Sequence, residues 1–322
     1  MKFRNLMAFA AAAIVAATSV GAQPKYPDKP IRLVVPFPPG GSIDMVARIV
    51  APKLSASLGV PVLVDNRPGA SGTIAMDHVA KSQKDGYTLL MGNTSMASSP
   101  HMFVSLPFSP LKDLAAIIRV ADQPNVVIIN PKWQFKSVAE LIAHAKANPG
   151  KLSFGTAGVG QPQDVAARLF MQMTGTDMLN VAYKGGAPAL VDLLGGQIDL
   201  MFETAPTAVP YVKSGKVRAL AVTTEKRLAT LPDVPTVAEA GVAGYKSVAW
   251  VGLIAPTGTP QTILQKLNDE MRAILAAPEV SGQLSGNSLQ LVGGSAADFT
   301  KFILAETDYY AKFVKDFQIV PQ

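Results

Sequence analysis

The chain has 322 residues, of which 48% are hydrophobic and 16% are charged, and its formal net charge is +6. This composition supports one large domain or two domains with a packed core, and it excludes a disordered chain. The chain has no cysteine, and its three histidines are scattered. Disulfides, thiolate ligands and cysteine nucleophiles are therefore excluded, and we expect no metal centre.

Residues 1–22 are typical of a secretory signal peptide. Lys2 and Arg4 form a basic start, and an apolar run then leads to small residues that end at Ala22. The run is shorter than the about 20 residues that a membrane-spanning helix needs. We therefore predict cleavage after Ala22, which lowers the formal net charge from +6 to +4. No block rich in Lys or Arg follows, so we predict no nucleic-acid partner.

Strands and helices alternate in the first part of the mature chain. Residues 31–37 are typical of a buried strand, and a sharp turn at 38–41 follows. Ser42 is placed to cap a helix whose apolar residues share one face. Two further strands, at 60–64 and 87–91, also end in polar loops. This order of elements predicts βαβ units and a largely parallel sheet.

The same alternation begins again after residue 124. A capping box at Ser137 and Glu140 predicts the start of a helix, and two long helices close the chain at 260–275 and 296–317. We therefore predict an α/β fold with two lobes, each a mostly parallel sheet flanked by helices. Lobe 1 would comprise residues 23–123 and 224–322, and lobe 2 would comprise residues 124–223.

Five loops at the carboxyl ends of these strands are rich in Gly, Ser, Thr or Asn. Such loops expose backbone N–H groups, and a helix that starts directly after a loop favours a negative oxygen there. No phosphate-binding loop occurs, and GTAGVG at 155–160 departs from the dinucleotide pattern GxGxxG. The loops therefore indicate a site for a carboxylate and no cofactor, although each loop alone is also compatible with a tight turn. They are 38–42, 66–73, 92–99, 155–160 and 184–186.

Two carboxylates belong to the same region of the predicted fold. Asp44 lies in the first turn of its helix, where it would complement the helix dipole or face a ligand. Glu203 follows a strand and would accept hydrogen bonds from a ligand or pair with Lys184. Acid–base hydrolysis by Asp44 and Glu203 is an alternative, because paired carboxyl groups can do this work. It is the less favoured one, since nothing in the sequence brings the two residues together. Three aromatic residues at strand ends are interpreted as core residues, with a wall of the ligand site as the alternative: Phe37, Phe202 and Trp250.

Several segments carry a family resemblance across nearly the whole mature chain. They include VVPFPPGGSIDMVAR at 34–48, VDNRPGASGTIA at 64–75, YKGGAPALVDLLGGQIDLMF at 183–202 and WVGLIAPTGTP at 250–260. These segments resemble the extracytoplasmic receptors of tripartite tricarboxylate transporters, the Bug family. The resemblance implies a periplasmic-binding-protein fold of type II-like form, which closes on a small organic carboxylate. It also implies a periplasmic monomer that delivers its ligand to large and small integral-membrane subunits.

The resemblance places the ligand between the lobes, with one carboxylate held by backbone groups and ordered waters of the first lobe. Glu203 departs from the Asp that is usual in the family, and residues 161–164 replace a stretch that often ends in His. The implied ligand is a dicarboxylate or an aromatic carboxylate, and amino acids remain open. The predicted ligand-binding residues are Phe37, Pro39, Gly40, Gly41, Ser42, Asp44, Asn66, Gly69, Ala70, Ser95, Ser98, Thr156, Ala157, Gly158, Lys184, Gly185, Phe202 and Glu203.

Two other functions are compatible with the sequence. One is a secreted hydrolase or isomerase that uses Asp44 and Glu203. The other is a sensor that reports a ligand to a membrane signalling partner through the same closure. The nucleophile motif GxSxG is absent, and the family segments favour a receptor without catalytic activity.

Overall fold

The computed structural model describes residues 26–321, in which strands and helices alternate; the predicted signal peptide lies outside the described residues. The strands are β1 (Ile31–Val35), β2 (Val62–Asn66), β3 (Thr88–Asn93), β4 (Leu114–Ile129), β5 (Ser153–Thr156), β6 (Leu179–Ala182), β7 (Leu200–Thr204), β8 (Arg218–Val222), β9 (Val248–Pro256) and β10 (Gln290–Gly293). The helices are α1 (Ser42–Leu58), α2 (Thr73–Ala80), α3 (Ser95–Met102), α4 (Pro110–Asp113), α5 (Val138–Ala147), α6 (Pro162–Thr174), α7 (Gly186–Leu194), α8 (Ala205–Lys213), α9 (Gln261–Ala276), α10 (Pro278–Gly286) and α11 (Ala296–Asp316).

Strand β4 is long enough to belong to two sheets. Its residues up to Pro124 pair with β9, whereas the residues from Asn125 onward pair with β7 and β8. We call β1, β2, β3, β9, β10 and the first part of β4 the first sheet. The second sheet consists of the rest of β4 with β5, β6, β7 and β8. The molecule therefore has two halves, each built on one sheet.

The predicted α/β class, with helices flanking the sheets, is confirmed, but the strand pairing is mixed rather than mostly parallel. The pairs β1–β2, β1–β3, β5–β6 and β5–β7 are parallel, as βαβ units require. Strands β4 and β9 are antiparallel to their neighbours. The reason is that β4 leaves the first sheet and β9 returns to it, so β9 enters in the opposite direction.

Each half has its own apolar core. Val46, Val50 and Leu54 of α1 are fully buried against the first sheet, as their spacing on one helix face predicts. In the second half, Phe154 and Phe170 pack in a separate cluster. The two halves therefore each have a rigid scaffold for the loops at the ends of their strands.

Of the two helix N-caps predicted from the sequence, the one at Ser137 is confirmed and the one at Ser42 is not. Ser137 caps α5 by accepting a hydrogen bond from the backbone N–H of Glu140. Helix α1 begins at Ser42, but its N-cap is Gly41, and no side chain caps it. The first turn of α1 is therefore left open at the end that faces the second half. Within residues 26–321, no helix is both long enough and apolar enough to span a membrane.

Candidate functional site

A cavity of about 30 Å³ lies where loops of the two halves meet. Its walls come from the ends of β1, β3, β5 and β7 and from the N-termini of α1, α6 and α7. Much of the wall is polar, although most of these residues are buried. The lining residues are Phe37, Gly41, Ser42, Ile43, Asn93, Gln123, Ala157, Gln161, Pro162, Gln163, Gly186, Glu203 and Thr204.

The first half contributes the start of α1 to this cavity. Gly41, Ser42 and Ile43 all line it. The first backbone N–H groups of a helix have no partner within the helix, and the positive end of the helix dipole lies there. These two properties make the start of α1 suitable for a carboxylate oxygen.

Asp44 holds the loop that precedes α1. Its carboxylate accepts hydrogen bonds from the N–H of Gly40 at 3.0 Å, from Nε of Arg48 at 2.9 Å and from Nδ2 of Asn66 at 2.9 Å. Nδ2 of Asn66 also donates to the carbonyl of Phe37 at 2.9 Å. Burial alone would raise the pKa of Asp44, but these hydrogen bonds and the Arg48 charge hold that pKa below its usual value. Asp44 therefore supports the loop and does not line the cavity.

The second half contributes a buried carboxyl group, Glu203, which is 1% exposed. The hydroxyl of Thr204 donates to its Oε1 at 2.9 Å, and Nε2 of Gln163 approaches its Oε2 at 3.4 Å. Burial raises the pKa of Glu203, and these hydrogen bonds oppose the rise only in part. Glu203 therefore keeps its neutral, protonated form to a higher pH than an ordinary glutamic acid does.

Two glutamine side chains on the cavity wall have unused hydrogen-bonding capacity. Nε2 of Gln123 and Oε1 of Gln163 are buried and have no hydrogen-bond partner among the described residues. A buried polar atom without a partner costs free energy, about 1–3 kcal/mol. A donor and an acceptor are therefore available on this side of the cavity for a bound molecule.

The two halves touch each other across the cavity. Gln161 accepts a hydrogen bond from Nδ2 of Asn93 at 3.0 Å and donates one to the carbonyl of Ser71 at 2.8 Å. The hydroxyl of Ser98 donates to the carbonyl of Gly160 at 2.7 Å. A Cβ atom on Gly158 would collide with Ser71, so glycine permits this close approach. The structure therefore represents a closed arrangement of the two halves.

Comparison with known proteins agrees with this architecture. The family described as "Tripartite tricarboxylate transporter family receptor" matches residues 46–319. The chain belongs to this family of receptors. The resemblance seen in the sequence segments is thereby confirmed.

Individual relatives cover nearly the whole chain. Protein BugT of Bordetella pertussis is 38% identical over 293 residues, which are 90% of this chain and 90% of BugT. The structure of R. palustris Rpa4515 with adipate is 36% identical, with a TM-score of 0.90, and covers 92% of this chain and 100% of that one. MatC from Rhodopseudomonas palustris with bound malate is 29% identical, with a TM-score of 0.86, and covers 90% of this chain and 100% of MatC.

The predicted site residues of this family member fall into several structural groups. Those that line the cavity are Phe37, Gly41, Ser42, Ala157 and Glu203. Others belong to the same loops outside the lining: Pro39, Gly40, Thr156, Gly158 and Gly185. Ser95 bonds to the lining residue Asn93, and Gly69 and Ala70 belong to the turn that brings Ser71 to Gln161.

Two predicted residues lie away from the cavity. Phe202 is fully buried in the core of the second half, where its ring lies 5.4 Å from that of Phe170. Successive side chains of a strand point to opposite faces, so Glu203 faces the cavity while Phe202 faces the core. Lys184 is exposed, and Glu203 has Gln163 and Thr204 as partners instead of the predicted lysine.

Eight lining residues are not among the predicted ligand-binding residues, although Asn93 and Gly186 belong to predicted loops and residues 161–163 to the segment that departs from the family pattern: Ile43, Asn93, Gln123, Gln161, Pro162, Gln163, Gly186 and Thr204. Ile43, Gly186 and Thr204 are immediate neighbours of predicted residues, and Gln161, Pro162 and Gln163 lie where the loop at 155–160 enters α6. Following each loop into the first helical turn would have found these six. Gln123 is different, because it reaches the cavity from the middle of β4 near the change of sheet. Among residues 26–321, no group of three or more His, Asp or Glu side chains is placed to hold a metal ion.

Proposed function

We propose that the protein is a periplasmic, non-catalytic receptor that captures a small organic carboxylate and delivers it to a tripartite tricarboxylate-type transporter. The transporter partners would be its large and small integral-membrane subunits, and the receptor would act as a monomer. A dicarboxylate or an aromatic carboxylate is the favoured ligand class. Adipate and malate, which accompany the relatives Rpa4515 and MatC, are the first compounds to test.

The open N-terminus of α1 in a buried, two-sided cavity is the observation that carries this proposal. Gly41, Ser42 and Ile43 can present backbone N–H groups to one carboxylate, and Asp44 stabilises the loop that positions them. The opposite wall offers Gln123 and Gln163 for the rest of the ligand. The open helix start on one side, with a neutral donor on Gln123 and a neutral acceptor on Gln163 on the other, suits an acid that is bound and released unchanged.

Capture would require the two halves to move apart. The cavity of about 30 Å³ is far below the 300–1,000 Å³ that small-molecule sites usually occupy. We propose that lobe 1 (residues 23–123 and 224–322) and lobe 2 (residues 124–223) open to admit the ligand and then close around it, leaving a wider cavity than the one in this structure. The hinge would lie in β4, where the strand changes sheets, and in the returning segment before β9.

Ligand-induced stabilisation tests the proposal. Purified, ligand-free protein would be unfolded thermally with adipate, malate, benzoate or glutamate present. A true ligand at 100 times its Kd is expected to add about 2.7 kcal/mol to the free energy of unfolding. Gly41→Val is expected to remove the effect because its side chain enters the anchor end of the cavity. Gly282→Ala is the control, because Gly282 is exposed and has no neighbour within 4 Å of an added Cβ.

No stabilisation by any member of the carboxylate panel would contradict the receptor proposal. The enzyme alternative has no support from the geometry, because Asp44 is engaged by Gly40, Arg48 and Asn66, whereas Glu203 bonds to a separate set of residues. Asp44 also lies outside the cavity lining, so it is not placed to exchange a proton with a molecule bound beside Glu203.

A further inference from the structure

The second half contains a network with the same parts as the Asp44 network. The carboxylate of Asp164 accepts hydrogen bonds from the N–H of Gly160 at 2.9 Å, from Nε of Arg168 at 2.8 Å and from Nδ2 of Asn180 at 2.9 Å. In the first half, the N–H of a glycine, Nε of an arginine and Nδ2 of an asparagine serve Asp44 at 3.0, 2.9 and 2.9 Å. Each donor in one network therefore has a donor of the same chemical type in the other, at a similar distance from the aspartate.

The two networks also occupy the same place in the local fold. In each half the glycine precedes the aspartate by four residues and the arginine follows it by four, in the pattern GxxxDxxxR at 40–48 and 160–168. The glycine ends the loop that leaves a strand, and the aspartate lies in the first turn of the next helix. The asparagine comes from the adjacent parallel strand, β2 or β6.

Both turns depend on glycine. Gly40 has φ of 89° and Gly160 has φ of 71°, a region that residues with a side chain rarely adopt. The aspartate therefore holds, in each half, a turn whose backbone conformation is otherwise unfavourable.

The turn at Gly160 leads directly into the wall of the cavity. Ala157, Gln161 and Gln163 line the cavity on either side of it. Oε1 of Gln163, an acceptor, and Nε2 of Gln123, a donor, are buried and have no hydrogen-bond partner among the described residues, so this side of the cavity has capacity to bind a further polar group. Asp164 itself is fully buried and does not line the cavity. Any effect of Asp164 on binding must therefore act through the loop.

We propose that Asp164 is a positioning residue for the far end of the ligand, as the second-half counterpart of Asp44. This inference rests on the proposed function, because it assumes that the start of α1 holds one carboxylate. The Asp44 network would position the anchor that every carboxylate ligand uses. The Asp164 network would position residues 157–163 against whatever group lies at the other end.

The test compares Asp164→Asn with Asp44→Asn, which keep the size of the side chain and remove its charge. Binding of adipate and of hexanoate is measured by titration calorimetry, because the two acids differ only in the second carboxylate. Asp44→Asn is expected to weaken both acids about tenfold, equivalent to about 1.4 kcal/mol. Asp164→Asn is expected to weaken adipate about tenfold and to change hexanoate less than about threefold. Equal losses for both acids in Asp164→Asn would overturn the proposal.

Hydrogen exchange separates failure of this inference from failure of the receptor function. Without any ligand, Asp164→Asn is expected to speed amide exchange at residues 157–161 and to leave residues 37–41 unchanged, and Asp44→Asn is expected to do the reverse. Unchanged exchange at 157–161 in Asp164→Asn would overturn the inference even if the protein binds adipate. Wild-type protein that binds neither acid would count against the receptor proposal, while exchange would still decide the role of Asp164.

Asn180→Ala provides a second variant in case Asp164→Asn does not fold. It removes one donor to Asp164 from a half-buried position, together with the acceptor of the Thr156 hydroxyl at 3.0 Å, and leaves the carboxylate and Arg168 in place. It is expected to speed exchange at residues 157–161 and to lower the preference for adipate over hexanoate. The absence of both effects in a folded Asn180→Ala protein would contradict the proposal.

Discussion

Glu203 and Asp44 are both buried carboxyl groups, but their surroundings act in opposite directions on their pKa values. Asp44 receives two amide donors and an arginine, which lower its pKa. Glu203 receives a hydroxyl and an amide without a cation, and burial raises its pKa. The difference follows from position: Arg48 comes four residues after Asp44 on the same helix, whereas Glu203 lies near the end of β7 between the uncharged residues Phe202 and Thr204.

The raised pKa of Glu203 predicts a specific dependence of stability on pH. Below the ordinary value of 4.5, Glu203 is protonated in both the folded and the unfolded chain. As the pH rises from there through the folded-state pKa, the unfolded chain loses its proton first, and stability is lost. Glu203→Gln removes this loss, so the variant is expected to gain stability relative to the wild type as the pH rises.

Urea unfolding of both proteins between pH 4.5 and pH 8 measures this difference. Glu225→Gln is the matched control, because the Glu225 side chain is 70% exposed. Parallel pH profiles for wild type and Glu203→Gln would show that burial does not favour the neutral form of Glu203.

The contribution of Asp44 to stability changes with pH in the opposite direction. Because its folded-state pKa lies below the ordinary 3.8, its contribution to stability is present above pH 3.8 and is lost as the pH falls through the lower value. Acid would therefore release the loop at Gly40 only below the pH at which an ordinary aspartate is protonated.

At the scale of secondary-structure elements, the packing of α11 on β9 leaves no room for a side chain at residue 252. A Cβ atom on Gly252 of β9 would collide with the ring of Phe299 and would lie 2.8 Å from the carbonyl oxygen of Ile118. Near the start of α11, the ring of Phe299 also packs edge-on against the ring of Trp250, with centroids 5.2 Å apart. Glycine at 252 therefore allows the C-terminal helix to lie close to the first sheet.

Gly252→Ala is expected to destabilise the protein by about 1–3 kcal/mol, because overpacking in a core forces neighbouring atoms to shift. The backbone oxygen of Ile118 moves less easily than a side chain, so the upper part of this range is expected. Chemical unfolding measures the change. Gly282→Ala, at an exposed position of α10, is the control and is expected to stabilise the protein by up to about 1 kcal/mol. Equal stability of the two variants would contradict the packing argument.

At the scale of the whole molecule, contacts between the halves determine whether the cavity is open or closed. Gln161 is fully buried and joins the second half to both Asn93 and Ser71 of the first half. A hydrogen bond contributes about 0.5–1.5 kcal/mol net. Together these two contacts contribute about 1–3 kcal/mol, which is comparable to the few kcal/mol that separate open and closed states of a hinged protein.

Gln161→Ala is expected to shift the ligand-free protein toward open conformations by about 1–2 kcal/mol, a factor of five to thirty in population. Small-angle X-ray scattering would then report a larger radius of gyration than for the wild type. Gln265→Ala is the matched control, because Gln265 bonds to Asp269 on the exposed face of α9 and takes no part in the contacts between the halves described above. Identical scattering from Gln161→Ala and the wild type would show that these hydrogen bonds do not hold the halves together.

Features that depend on local order along the chain can be predicted from the sequence. Strand, loop and helix signals predicted an α/β fold, and the family segments predicted the receptor class. The loop at 37–42 was predicted as part of the site because small residues before a helix expose N–H groups wherever they occur. The repeat GxxxDxxxR at 40–48 and 160–168 was also present in the sequence, although its meaning depends on seeing both networks.

Which of these residues come into contact depends on how the whole chain folds. Glu203 faces the cavity and Phe202 does not. The reason is that the apolar core of the second half covers the face of β7 that carries Phe202. Gln161 and Ser71 are 90 residues apart, and they come together only through closure of the two halves. Local signals are set by neighbours in the chain, whereas the cavity is built from contacts between distant loops that no short stretch of sequence encodes.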